Sequence, residues 1–150
     1  MNADHNGSAP AVVAVGGGHG LATTLRAARR YAGSITAVVT VADDGGSTGR
    51  LRAATPRPAP GDLRKCLVAL ADHDTAIVTA MEHRFSTGEL EGHAFGNLLL
   101  VALEESEGDL VGALDEAGRI LGCVGRVLPN TTTAVELNAR VDSGGVVRGQ

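Results

Sequence analysis

Aromatic residues are almost missing from this 150-residue chain, which has no Trp, one Tyr and two Phe. Single-stranded nucleic-acid platforms stack bases on aromatic rings, so that class is excluded. Lysine is nearly missing as well, since Lys65 is the single one and every other cation is an arginine. That bias points to a GC-rich coding genome and says nothing of a site. Cysteine is scarce, and Cys66 and Cys123 have neither a metal-ligand spacing nor the numbers for a disulfide framework. No long hydrophobic run occurs. Leu98 to Leu103 is the longest clear one, far too short to span a bilayer. The polar start of the chain lacks the apolar stretch of a signal peptide. We therefore expect a cytoplasmic setting with no membrane partner.

What is present supports a folded α/β domain. Leu, Ile, Val and Phe make up roughly a quarter of the chain, enough to build a core. Glycine, at 21 residues, has no collagen period and so serves turns and close backbone approaches. The net charge is −4 but is unevenly spread, +2 over residues 1–75 and −6 over residues 76–150. Eight cations and three acids lie between Arg26 and Lys65. Such a patch fits the pocket of a phosphate-bearing small molecule, or a solvated surface. It is too small, in too acidic a chain, for duplex DNA.

Residues 1–10 read as a disordered tail. Ala11-Val12-Val13-Ala14-Val15 is a β-branched run that predicts a fully buried parallel strand. Residues 21–32 predict a helix with Leu21, Leu25 and Ala28 inward and Gly33 as its stop. Residues 35–41 predict a second buried strand, completing a βαβ unit. Residues 42–61 form a long Gly- and Pro-rich segment, with disorder expected over residues 53–60. Asp62 then caps a helix with Leu63, Cys66, Leu67 and Leu70 as its apolar stripe. Further helices are expected over residues 75–85, 97–105 and 109–121, with a loop at residues 86–92. A strand over residues 124–128 and a terminal hairpin turning at Asp142-Ser143-Gly144-Gly145 complete the chain. The whole reads as a Rossmann-like parallel sheet with flanking helices and a C-terminal β-hairpin. It has too few strands for a two-faced sheet, so it resembles an incomplete copy of a larger fold.

Two segments carry the chemistry. Gly16, Gly17, Gly18, His19 and Gly20 join the first strand to the first helix. Glycines there let backbone N–H groups approach an anion at a helix N-terminus. A tight turn under a close helix crossing is the alternative. Neither the dinucleotide fingerprint nor the Walker A pattern is present, because Leu21 stands where the third glycine would be and no Gly-Lys-Ser/Thr follows. His19 is either a phosphate donor or a cap of the turn. After the second strand come Asp43, Asp44, Gly45, Gly46, Ser47, Thr48, Gly49 and Arg50. Adjacent carboxylates repel unless a cation, hydroxyl or hydrogen-bond network compensates. Asp43, Asp44 and, farther on, Asp62 are the catalytic candidates, and Asp44 and Asp62 are the metal candidates. The acids could hold a metal or sugar hydroxyls, and Gly45, Gly46, Ser47, Thr48 and Arg50 a phosphate, with a solvated turn as the alternative. His93 and Asn97 share a helical face if the helix includes His93, and Asn97 could otherwise cap it. Arg126 and Asn130 bracket a strand end that reaches the same cleft. His5, His73 and His83 read as surface residues.

Together these motifs resemble one family. The glycine turn, the run Val39 to Arg52, Pro60-Gly61-Asp62-Leu63-Arg64-Lys65-Cys66-Leu67, Gly92-His93-Ala94-Phe95-Gly96-Asn97 and Gly125-Arg126-Val127-Leu128-Pro129 look like the YvcK-type gluconeogenesis factors. These sit within the CofD-like phospholactate transferase superfamily. The resemblance runs over residues 11–150 and corresponds to the N-terminal half of the family. It implies a Rossmann-like fold, UDP-sugar (or other phosphorylated nucleotide) binding and support of gluconeogenic growth and cell shape. The CofD branch implies instead a transferase that moves a phospholactyl group from a guanylylated donor to a deazaflavin, with a divalent metal such as Mg2+. A truncated copy acting only through a partner is a third reading. Self-association, or association with a missing C-terminal half, is expected of an incomplete sheet. His19 stands where the family usually has Thr, Thr48 where it has Ser, and Lys65 where it has Asn.

Overall fold

The computed structural model describes residues 9–42, 57–72, 75–142 and 144–148. Three parallel strands form the sheet in the order β1 (Ala11–Gly16), β2 (Ser34–Val39), β3 (Arg126–Pro129). Their register aligns Val15 with Val38 and Val38 with Leu128. Helix α1 (Gly18–Ala28) crosses from β1 to β2. Helices α2 (Pro60–Leu70), α3 (Ala76–Glu82), α4 (Phe95–Glu107) and α5 (Leu110–Leu121) lie between β2 and β3. A two-stranded antiparallel hairpin, β4 (Asn138–Arg140) and β5 (Val146–Arg148), follows. The expected α/β sheet with flanking helices and a terminal hairpin is therefore present.

Sequential order 1-2-3 with right-handed crossovers puts every crossover helix on one face of the sheet. Accordingly α1 packs on β1 and β2, α2 on β2 and β3, and α5 on β3. Side chains alternate across a strand, so Ala14, Ile35, Ala37, Val39 and Val127 go under these helices and are buried. The core continues through Leu25, Leu63, Leu67, Leu70, Met81, Leu100 and Leu114.

The opposite sheet face is open, which corrects the reading of residues 11–15 as a fully buried strand. Val13 and Val15 are 66% and 72% exposed. A β-branched run fits a strand covered on both sides, but β1 is an edge strand with helices on one side. The second strand is buried on one face only, with Thr36 and Val38 half-covered.

Other boundaries also differ from expectation. Helix α1 takes in Gly18, His19 and Gly20 and ends at Ala28, with Arg29 as its cap. Gly33 is not its stop. It sits against the chain leading into β1, where an added Cβ would lie 2.7 Å from the Ala9 carbonyl oxygen. The N-cap of α2 is Ala59, not Asp62. Pro60 supplies the first helical position with its φ already set. Disorder had been expected to reach Pro60, but Arg57, Pro58, Ala59 and Pro60 are buried, and the Ala59 N–H donates to the Val41 carbonyl at 3.2 Å. Arg57 pairs with Glu104 and Glu105 of α4 at 3.3 and 3.2 Å, which fastens the entry of α2 to the end of α4. Thr75 caps α3, which stops at Glu82 rather than at residue 85. The hairpin strands are short, and Leu137, Val141, Val146 and Val147 stay exposed.

Helix α5 shows the local rules working as expected. The Asp109 side chain accepts the Gly112 N–H at 2.9 Å, and Gly108 ends α4 in the left-handed conformation. Asp109→Ala removes a cap bonded as N-caps are and should lower stability by about 1 kcal/mol. Urea unfolding of the two proteins measures it, and an unchanged midpoint would contradict this role for the cap.

Candidate functional site

The C-terminal ends of the three parallel strands are where open α/β sheets bind ligands. At that edge Gly16 leads directly into α1. The Thr40 N–H donates to the Gly16 carbonyl at 2.8 Å, and the Asn130 N–H donates to the Val39 carbonyl at 2.8 Å. Gly17 is the N-cap of α1 and has no side chain with which to cap it. Its Cα is pressed against β2 and α2. A Cβ there would clash with Thr40 Oγ1 and would lie 2.9 Å from Asp62 Oδ2. Gly18 takes φ +64°, a conformation costly for residues with a Cβ. Glycine at both positions lets the strand turn into the helix beside α2.

Asp62 performs from α2 the capping that Gly17 cannot. Its Oδ2 accepts the Gly18 N–H at 2.6 Å and its Oδ1 accepts from Lys65 Nζ at 2.8 Å. The carboxylate is 13% exposed and Lys65 27%. The first-turn N–H groups of His19 and Gly20 have no acceptor within an α-helix. Both residues are exposed at the mouth, with Thr40 and Asn130 exposed nearby. This edge therefore offers backbone donors, a hydroxyl, an ammonium and the positive end of a helix to an anion.

The structure thus brings Gly16, Gly17, Gly18, His19, Gly20 and Asp62 together. Thr40 and Lys65 join them, Lys65 as the last cation of the patch that begins at Arg26. The i, i+3 spacing of Asp62 and Lys65 was the available signal. Asp43, Asp44, Gly45, Gly46, Ser47, Thr48 and Arg50 lie outside the described residues. Among the described residues no group of three His, Cys, Asp or Glu side chains could hold a metal ion. A cation at Asp62 would have to compete with Lys65 for a carboxylate whose other oxygen already caps α1.

His93 and Asn97 occupy a different place. Helix α4 begins at Phe95 with Ala94 as its N-cap, so His93 is outside it and shares no helical face with Asn97. Asn97 lies within the first turn and is not the cap of a helix starting at Leu98. It is 3% exposed, with Oδ1 lacking a hydrogen-bond partner. Its neighbour Gly96 is pressed on α2, where a Cβ would lie 2.7 Å from both Arg64 Cδ and the Met81 carbonyl oxygen. Arg64 Nη1 donates to that carbonyl at 3.2 Å. Burial, and then nearby Arg84, lowers the Arg64 pKa. Asp62 and Arg64 are two residues apart, about 200° around the helix, so they face opposite sides of α2. The start of α4 therefore lies across α2 from the glycine turn.

Arg126 does not reach the strand-end cleft. It opens β3, about 13 Å of strand from Asn130, and makes a two-pronged pair with Asp115 of α5 at 2.8 and 2.6 Å. That bond holds the Asp115 carboxyl below its usual pKa. Both thiols are free. Burial pushes Cys66 to about 12 and Cys123 to about 11. No helix among the described residues is long and apolar enough to cross a membrane.

Known proteins share this fold. The gluconeogenesis factor of Bacillus subtilis (strain 168) is 43% identical over 96% of this chain and 46% of its own length. The putative gluconeogenesis factor of Mycobacterium leprae (strain TN) is 53% identical over 90% of this chain and 39% of its own. The crystal structure of protein BH3568 from Bacillus halodurans, described as a member of the UPF0052 family, superposes with a TM-score of 0.87 at 42% identity. It covers 93% of this chain, and the match takes up 46% of that protein. The chain thus spans less than half the length of these relatives. The family model of 2-phospho-L-lactate transferase CofD matches residues 12–150, so the chain belongs to the CofD family, among its gluconeogenesis-factor (YvcK) members.

Proposed function

We propose that this domain binds the phosphates of a nucleotide-sugar, a UDP-sugar above all, at the N-terminus of α1. Its role on this reading is regulatory, in gluconeogenic growth and cell-envelope shape. One observation carries the reading. Gly17 is packed so closely on Thr40 Oγ1 and Asp62 Oδ2 that a Cβ there must displace one of those side chains, and the His19 and Gly20 N–H groups are left at the strand-end mouth. Phosphate is the anion such a turn takes best. Lys65 can add charge.

The family's other branch gives a second reading, a metal-dependent transferase that uses a guanylylated donor and a deazaflavin acceptor. Calorimetric titration with a panel of UDP-sugars, and with GDP for comparison, separates the two. Saturable binding of a UDP-sugar in preference to GDP is expected. Preference for GDP, with Mg2+-dependent product formation on the deazaflavin, would replace the regulatory reading with the transferase. No binding of either nucleotide would remove the phosphate site.

A further inference from the structure

Both phenylalanines of this aromatic-poor chain line one groove, at the other end of α1 from the glycine turn. Its volume is about 880 Å³, and it lies between α1, α2, α3 and the segment entering α4. Phe85, Phe95, Val68 and Val78 give it an apolar floor, and His83 stands edge-on to Phe85 with ring centres 5.2 Å apart. Arg26 and Arg29 also line it. The same two arginines line an adjoining cleft of about 400 Å³ with Arg30 and Asp72.

Cations outnumber acids among the described residues that line the groove and its adjoining cleft. Arg29 caps the end of α2, donating from Nη1 to the Ala69 carbonyl at 3.3 Å and from Nη2 to the Asp72 carbonyl at 3.1 Å. A longer contact of 3.5 Å reaches the Asp72 carboxylate. A guanidinium has five N–H donors, so Arg29 keeps some in reserve. Arg26 and Arg30 are exposed, and their side chains make no hydrogen bond or ion pair among the described residues. Glu82 lines the groove too, so it carries one carboxylate beside the two guanidiniums. Among the described residues, the adjoining cleft is lined by three guanidiniums and the Asp72 carboxylate.

A groove of this volume, mostly apolar with a few convergent polar groups, has the dimensions of a small-molecule site. Arg26 and Arg29 lie roughly 12 to 16 Å along α1 from Gly18, so the groove is separate from the strand-end mouth. We infer that it is a second binding site, for a small anion with an aromatic or apolar body. The acid group sits among Arg26, Arg29 and Arg30, and the body lies on Phe85 and Phe95. This inference does not rest on the nucleotide-sugar reading.

Fluorescence titration with anilinonaphthalene sulfonate, an aromatic anion, tests it. Arg26→Gln removes an exposed, unpartnered charge, and Thr79→Tyr fills the groove from an exposed position of α3. Val15→Thr is the control for the open sheet face. Circular dichroism should show all three folded. The wild-type chain is expected to bind the dye saturably. Arg26→Gln should weaken binding at least about fivefold, Thr79→Tyr should abolish it, and Val15→Thr should leave it unchanged. Equal affinity in the two groove variants would overturn the inference. Loss of binding in Val15→Thr alone would overturn it too, because the dye would then be on the sheet.

Discussion

Gly17→Ala is expected to lower UDP-sugar affinity at least tenfold, about 1.4 kcal/mol. The added methyl would overlap the Thr40 hydroxyl and lie 2.9 Å from Asp62 Oδ2. Asp62 belongs to α2, which packs on α1, and Thr40 follows the end of β2. Relief takes a turn of the Thr40 side chain together with a shift of α1 or release of the Gly18 N–H by Asp62, and the last two misplace the first-turn donors. Overpacking of this kind also costs about 1 to 3 kcal/mol of stability, so the melting temperature should fall as well. Gly20→Ala is the matched control. Nothing lies within 4 Å of its added Cβ, and alanine is the better helix former. That variant should melt no lower than wild type and bind nearly as well. Gly18→Val tests a different cost. No atom lies within 4 Å of its Cβ, so its penalty arises from the φ of +64° alone. Calorimetry on the three variants decides. Wild-type affinity in folded Gly17→Ala would end the phosphate-cradle reading.

The glycine turn was legible because it is local. A β-branched run, three glycines and a helix-period pattern lie within some fifteen consecutive residues, and the structure joins them in that order. The stripe Leu63, Cys66, Leu67, Leu70 was legible for the same reason, and all four are buried. What failed was tertiary. Asp62 has the chemistry of an N-cap, and it does cap a helix, but α1 rather than its own. Nothing in the spacing of residues 59–65 distinguishes those cases. Asn97 looked like a cap because it precedes a leucine run. The helix instead starts two residues earlier, where Gly96 lets α4 close on Arg64. Arg57 sits in a Pro-rich stretch that reads as disordered, and its partners Glu104 and Glu105 lie far along the chain. Burial of β1 was misjudged for a related reason. Hydrophobicity shows that a strand can be covered on both faces, but not whether these residues supply both covers.

That open face leads to the second large effect. In solution the protein should run larger than its 15.2 kDa and become smaller when β1 is made more polar. Parallel sheets are nearly always covered on both faces, and here Val13 and Val15 stand exposed while Val38 and Leu128 continue the row across the sheet. Among the described residues β1 pairs only with β2, and the strand contains no charged residue or proline that would discourage another strand at its other edge. Val146 and Val147 of the hairpin add exposed apolar surface of their own. Val13→Thr with Val15→Thr keeps the branched shape that a strand prefers and replaces two methyls by hydroxyls. Burying a valine contributes about 1.5 kcal/mol or more, so losing much of two should weaken association by about 2 kcal/mol, roughly thirtyfold. Sedimentation velocity across a concentration series measures the shift. Helical content should be unchanged, since neither residue lies under α1. A wild-type chain that sediments as a compact monomer at every concentration would show that the open face does not drive association. Association untouched by the double variant would move the interface to the hairpin valines.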